Sequence, residues 1–78
     1  MNELTIPQKI FRYIRASQGK IVTREEIGRL IYEGYFDRVD KKSISDYINV
    51  SMVEVRKMFV QYEIKLKTVR GVGYLYEN

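Results

Sequence analysis

The sequence predicts a small, mainly α-helical domain that ends in a β-ribbon. Two observations carry this expectation. Apolar residues recur at helical spacing in three stretches before residue 62, and the spacing then changes to alternation over residues 64–76. At 78 residues the chain has room for one core, since typical domains run to about 100–150 residues. A composition of 45% hydrophobic and 31% charged residues suits a folded domain rather than a disordered tail.

The first helix is expected over about residues 6–17. Thr5 opens a capping box, T-I-P-Q, in which its hydroxyl takes the amide hydrogen of Gln8, and Pro7 is tolerated in the first turn. Ile6, Ile10, Phe11, Tyr13 and Ile14 recur at helical spacing, with Lys9, Arg12 and Arg15 on the wetter side. Gln18-Gly19 ends this helix, and Ile21-Val22 is a short extended piece. Thr23 opens a second capping box, T-R-E-E, for a helix over about 24–33 that buries Ile27, Leu30 and Ile31 and stops near Gly34. Gly28 inside it costs up to about 1 kcal/mol against Ala, which predicts tight packing there.

Residues 35–43 show no period and are expected to form a connecting loop. A third helix, about 45–61, carries Ile48, Met52, Val55 and Phe59 at i, i+4, i+7 and i+11, with Ile44 one turn earlier. Ile64 and Leu66, a turn at Arg70-Gly71, then Val72, Tyr74 and Tyr76 read as a two-stranded hairpin over about 63–76. Gly71 and Gly73 are expected to supply the positive φ of its turn or of an adjoining bulge. Three helices followed by a two-stranded ribbon is the winged helix-turn-helix arrangement, in a single domain over residues 1–78.

Composition narrows the chemistry. The chain has no Cys and no His, which removes disulfides, thiolate–zinc sites and imidazole as a general base. Acids and bases are scattered, without a Gly-rich cradle or metal-ligand spacing, so neither an enzyme, a cofactor nor a metal is expected. No apolar run is long enough to span a bilayer, and the acidic start Met-Asn-Glu-Leu-Thr is not a signal peptide. A cytoplasmic location, in a prokaryotic cell or with its virus or plasmid, is expected. Residues 56–76 hold Arg56, Lys57, Lys65, Lys67 and Arg70 against Glu63 alone, which accounts for the whole net charge of +4. A basic stripe on an otherwise neutral domain suits a polyanion partner, although it also suits a solvated face.

Three stretches resemble one known family. I-V-T-R-E-E-I at 21–27, I-N-V-S-M-V-E-V-R-K-M-F at 48–59 and, most specifically, T-V-R-G-V-G-Y at 68–74 are similar to the C-terminal DNA-binding domain of OmpR/PhoB-type response regulators. With the first helix, the similarity spans most of residues 4–76. In that family the domain usually begins with a small antiparallel sheet and follows a phosphorylatable receiver domain; 78 residues leave room for neither, so control by aspartyl phosphorylation is not expected here. Within the third helix Ser51 stands where the family commonly has His, Val53 where it has Ser or Arg, and Glu54 where it has a basic residue. Arg56, Lys57, Thr68, Arg70 and Tyr74 are retained.

With the apolar seam of the third helix set inward, 100° per residue turns Asp46, Val50, Val53, Glu54 and Lys57 outward, flanked by Asn49 and Arg56 on one side and by Ser51 and Met58 on the other. In a major groove Val50 and Val53 suit thymine methyls, Asn49 and Ser51 suit bases or phosphates, and Glu54 suits a cytosine amino group. The alternatives are that the valines cover a protein partner and that Glu54 is merely tolerated. Arg56 and Lys57 suit phosphates. Arg70 at the ribbon tip suits a minor groove, a role the resemblance also implies. Lys67 and Thr68 are expected on adjoining phosphates, and Tyr74 either packs or adds its phenol. Thr23 is a helix cap whose helix N-terminus, with Arg24, points toward a phosphate.

These residues predict sequence-specific binding of double-stranded DNA by a small stand-alone transcription regulator. The competing expectation is a protein-interaction module acting on the transcription machinery. The aromatic loop Tyr35–Lys42 is a candidate contact for RNA polymerase, as in the resembled family, unless its rings fold onto the core. One winged module reads few base pairs, so a homodimer or tandem array on DNA, or a partner protein, is expected.

Overall fold

In the computed structural model, residues 3–77 are described. They form helix α1 (Ile6–Ala16), strand β1 (Ile21–Thr23), helix α2 (Arg24–Ile31), a 3₁₀ turn at Phe36–Arg38, helix α3 (Lys41–Gln61) and strands β2 (Leu66–Val69) and β3 (Gly73–Tyr76). Both capping boxes are present: Thr5 accepts from the amide of Gln8 at 3.2 Å, and Thr23 from that of Glu26 at 3.1 Å. Glu26 also accepts the Tyr13 hydroxyl at 2.7 Å, joining α1 to α2. That bond holds the Glu26 carboxyl below its usual range and raises the Tyr13 phenol.

The ribbon is not two-stranded. It is part of a three-stranded antiparallel sheet in the order β1-β3-β2, with Val22 opposite Tyr74 and Thr68 opposite Tyr74 on its other side. A short extended segment leaves its amides and carbonyls unpaired unless an edge accepts them, and β3 provides that edge. Gly73 makes the join possible. Its φ is not positive, contrary to expectation. A Cβ there would lie 2.0 Å from the Val22 carbonyl oxygen, so the position serves backbone approach. Gly71, at φ +76°, does supply the turn.

Helix α3 starts four residues earlier than periodicity predicts. The Asp40 carboxylate caps it, accepting from the Ser43 amide at 3.0 Å and the Ser43 hydroxyl at 2.8 Å; these bonds lower the Asp40 pKa. The first turn, Lys41–Ser43, is exposed and has no apolar signal to show it. At the other end Glu63, at φ +58°, sits where helices usually place glycine. Ile64 donates to the Phe59 carbonyl and Glu63 to the Val60 carbonyl, which completes a Schellman stop.

The core takes Ile10 and Ile14 from α1, Val22 from β1, Ile27 from α2, the seam Ile44, Ile48, Met52, Val55 and Phe59 from α3, and Tyr74 and Tyr76 from β3. Gly28 is tightly packed as expected: a Cβ would meet the Phe36 ring at 2.6 Å. Phe36 therefore folds onto α2, beneath the Arg29 guanidinium, whereas Tyr35 is 58% exposed. No helix among the described residues is long and apolar enough to cross a membrane.

Candidate nucleic-acid interface

Sheet alternation fixes which ribbon residues lie toward α3. Thr68 shares a face with buried Tyr74, and the Arg56 guanidinium donates to its hydroxyl and sits 5.5 Å from the Tyr74 ring. Lys67 lies opposite Leu75 on the other face of the sheet, away from α3, so by the strand period of two it and Thr68 point to opposite sides of the ribbon. Arg70 is exposed at the turn between β2 and β3.

The outer face of α3 is largely as the helical period predicts. Asn49, Val50, Val53, Glu54, Arg56 and Lys57 are all exposed, Val50 to 70% and Val53 to 54%. Ser51 is not. It is 4% exposed: at 100° per residue it lies at the edge of the buried arc, beside Ile44 and beyond Val55, and the fold covers that edge. It offers no hydroxyl to a groove. Glu54 lies 3.4 Å from the Lys57 ammonium one turn on; both groups are well exposed, so the pair contributes little to stability.

The start of α2 is occupied from within. The Arg24 amide donates to the Val72 carbonyl at 3.3 Å and the Glu26 amide to Thr23, so the expected phosphate seat at Thr23 is filled largely by protein acceptors. The Arg24 side chain is half-buried. Its Nη1 donates to the Tyr74 hydroxyl at 2.9 Å, and its Nη2 to the Ser45 hydroxyl at 3.2 Å and to Asn49 Oδ1 at 2.9 Å. Tyr74 therefore packs, with 6% exposure, and spends its phenol on Arg24. Sequence reasoning missed this clasp because its members are 21 to 50 residues apart.

Two arginines thus tie the ribbon to the helices, Arg56 through Thr68 and Arg24 through Tyr74. Neither has a carboxylate within ion-pair distance among the described residues. The junction of α2, α3 and the ribbon is accordingly positive and pre-assembled, with the α3 outer face beside it. No known protein-family model matches the chain, and no curated protein matches it.

Proposed function

We propose that this chain is a small winged-helix transcription regulator that binds double-stranded DNA, with α3 in the major groove and Arg70 in the minor groove. The observation that carries this reading is the pair of carboxylate-free arginine links that fix a ribbon with an exposed tip Arg beside an exposed helix face. A groove-binding module needs that relative placement set before it meets DNA, because ordering it afterwards costs affinity. The resemblance of T-V-R-G-V-G-Y to the response-regulator effector domain points the same way. Asn49, Val50 and Val53 are the base-reading candidates, with Arg56 and Lys57 near phosphates and no catalytic role for any residue. Such a regulator works in the cytoplasm of a prokaryotic cell, or is carried there by its virus or plasmid.

The apolar outer face favours a second reading. Val50 and Val53 are exposed next to Tyr47, which meets Tyr32 edge-on at 5.7 Å, and such a strip suits a protein partner. The two readings separate on salt and on Arg70. For DNA, with Arg56, Lys57 and Arg70 facing phosphates, log K falls against log[salt] with a slope of about −3. Arg70→Ala weakens binding by about 1–3 kcal/mol while circular dichroism stays unchanged. A flat salt response, or normal duplex binding by Arg70→Ala, rejects the DNA reading in favour of the protein module.

A further inference from the structure

We infer that Arg24 is a positioning residue for sequence readout: it turns the Asn49 amide so that Nδ2 faces the groove and donates to a base-edge acceptor. The inference rests on the DNA-binding reading and specifies how one of its residues works. A guanidinium has donors only. The Asn49 atom 2.9 Å from Arg24 Nη2 is therefore the carbonyl oxygen Oδ1, and the planar amide sends its NH₂ elsewhere. Asn49 lies on the exposed flank of α3, so that NH₂ is available to a ligand.

Arg24 is itself held firmly enough to orient a neighbour. The Tyr74 hydroxyl at 2.9 Å and the Ser45 hydroxyl at 3.2 Å fix the guanidinium between β3 and α3, and its own amide is tied to Val72. A free surface Asn rotates among rotamers and loses that entropy on binding. Here the loss is taken on folding. The complementary groups in a major groove are guanine O6 and N7, adenine N7 and thymine O4, all acceptors. Arg24 then acts on DNA through Asn49 and not as a phosphate contact of its own.

The test uses the full chain and two duplexes. One carries the site that the parent recovers from a random-sequence pool; the other is a scrambled duplex of equal composition. The expected result is that Arg24→Met and Asn49→Ala each lower the ratio of selected to scrambled affinity about tenfold. The double variant goes no lower, because both remove one interaction. Arg24→Lys, which keeps the charge and loses the fork, behaves like Arg24→Met, and the salt slope stays at the parental value in every case. Ser45→Ala removes one Arg24 acceptor while leaving the Asn49 bond, so its ratio stays parental even where its melting temperature falls.

Four results overturn the inference. Additive losses near a hundredfold in the double variant make the two residues independent. A salt slope shallower by about one in Arg24→Met makes Arg24 a phosphate contact. A lowered ratio in Ser45→Ala assigns the effect to general loosening of α3. Failure of the parent to bind any duplex removes the DNA reading itself, and is told apart from the other three because no parental ratio exists.

Discussion

The two glycines of R-G-V-G separate by mechanism, and substituting each with alanine measures the difference. At Gly73 a Cβ would stand 2.0 Å from the Val22 carbonyl oxygen and 2.8 Å from the Thr23 Cα. Carbon and oxygen ordinarily approach to about 3.3 Å, so β1 has to withdraw by roughly 1.3 Å. All the obstructing atoms are backbone, and no rotamer change relieves the contact. Withdrawal forfeits the β1–β3 ladder bonds at about 1 kcal/mol each and part of the burial of Val22, worth about 1.5–3 kcal/mol in full. The expected loss is about 4 kcal/mol. A domain of this size holds roughly 4–12 kcal/mol in total, so Gly73→Ala sits near the unfolding threshold.

At Gly71 nothing lies within 4 Å of the Cβ position, and the penalty is the φ of +76° alone, about 1–2 kcal/mol for a residue other than glycine. Each kcal/mol moves the melting temperature of a domain this small by about 4–8 °C. Thermal melts followed by far-ultraviolet circular dichroism should therefore show a fall of about 15–30 °C for Gly73→Ala and about 4–15 °C for Gly71→Ala. Equal falls would mean that β1 is not seated against Gly73, and the three-stranded sheet would have to be abandoned.

Glu54→Arg removes a carboxylate from the α3 face and adds a cation; duplex titrations at several salt concentrations should show tighter, less selective binding, with a slope steeper by about one. Unchanged DNA binding with loss of a protein partner would instead favour the interaction module. Glu63→Gly relieves a left-handed residue at the end of α3, and denaturant melts should show a gain of about 0.5–1 kcal/mol. Glu26 has its folded-state pKa lowered by the Tyr13 hydroxyl, so its contribution is present above the unfolded value of about 4.3 and is lost as pH falls through the folded value. Stability measured from pH 6 down to pH 2 should decline less steeply in Glu26→Gln than in the parent.

Local chemistry made much of the fold legible. Both capping boxes and the inward seam of α3 follow from residues within a few positions of one another, where spacing alone determines which groups meet; a glycine inside a helix signalled the crowding at Gly28, but not that Phe36 and Ile44 supply it. The misses are of another kind. Lys41–Ser43 join α3 through a cap at Asp40, yet no apolar residue marks that first turn. β1 pairs with a strand some fifty residues away, and three residues of sequence carry no signal of their partner. Ser51 sits on the boundary of the buried arc, where the helical angle leaves a flank position open and tertiary packing covers it. Of the candidate site, the α3 face and the Arg70 tip were readable from period and turn chemistry. The Arg24 clasp was not, since only tertiary folding brings Tyr74, Ser45 and Asn49 around one guanidinium.

The fold also redistributes the basic charge that first suggested a polyanion. Arg56 keeps its charge beside the Thr68 hydroxyl and the Tyr74 ring, but Lys57 lies near Glu54 and Lys67 is turned to the far face of the sheet. The basic stripe is thus weaker on this side than the sequence implies, and the exposed face of α3 is neutral and apolar at Val50 and Val53 with an acid at Glu54. On the DNA reading, that combination lowers affinity for arbitrary sequence more than for a matched one, because repulsion from phosphates applies everywhere while methyl contacts and an oriented Asn49 apply only at the right bases. The balance shifts from binding strength to discrimination. On that reading a single copy would hold its site weakly, and two copies on adjacent half-sites would raise occupancy, because the second binding event proceeds at high local concentration.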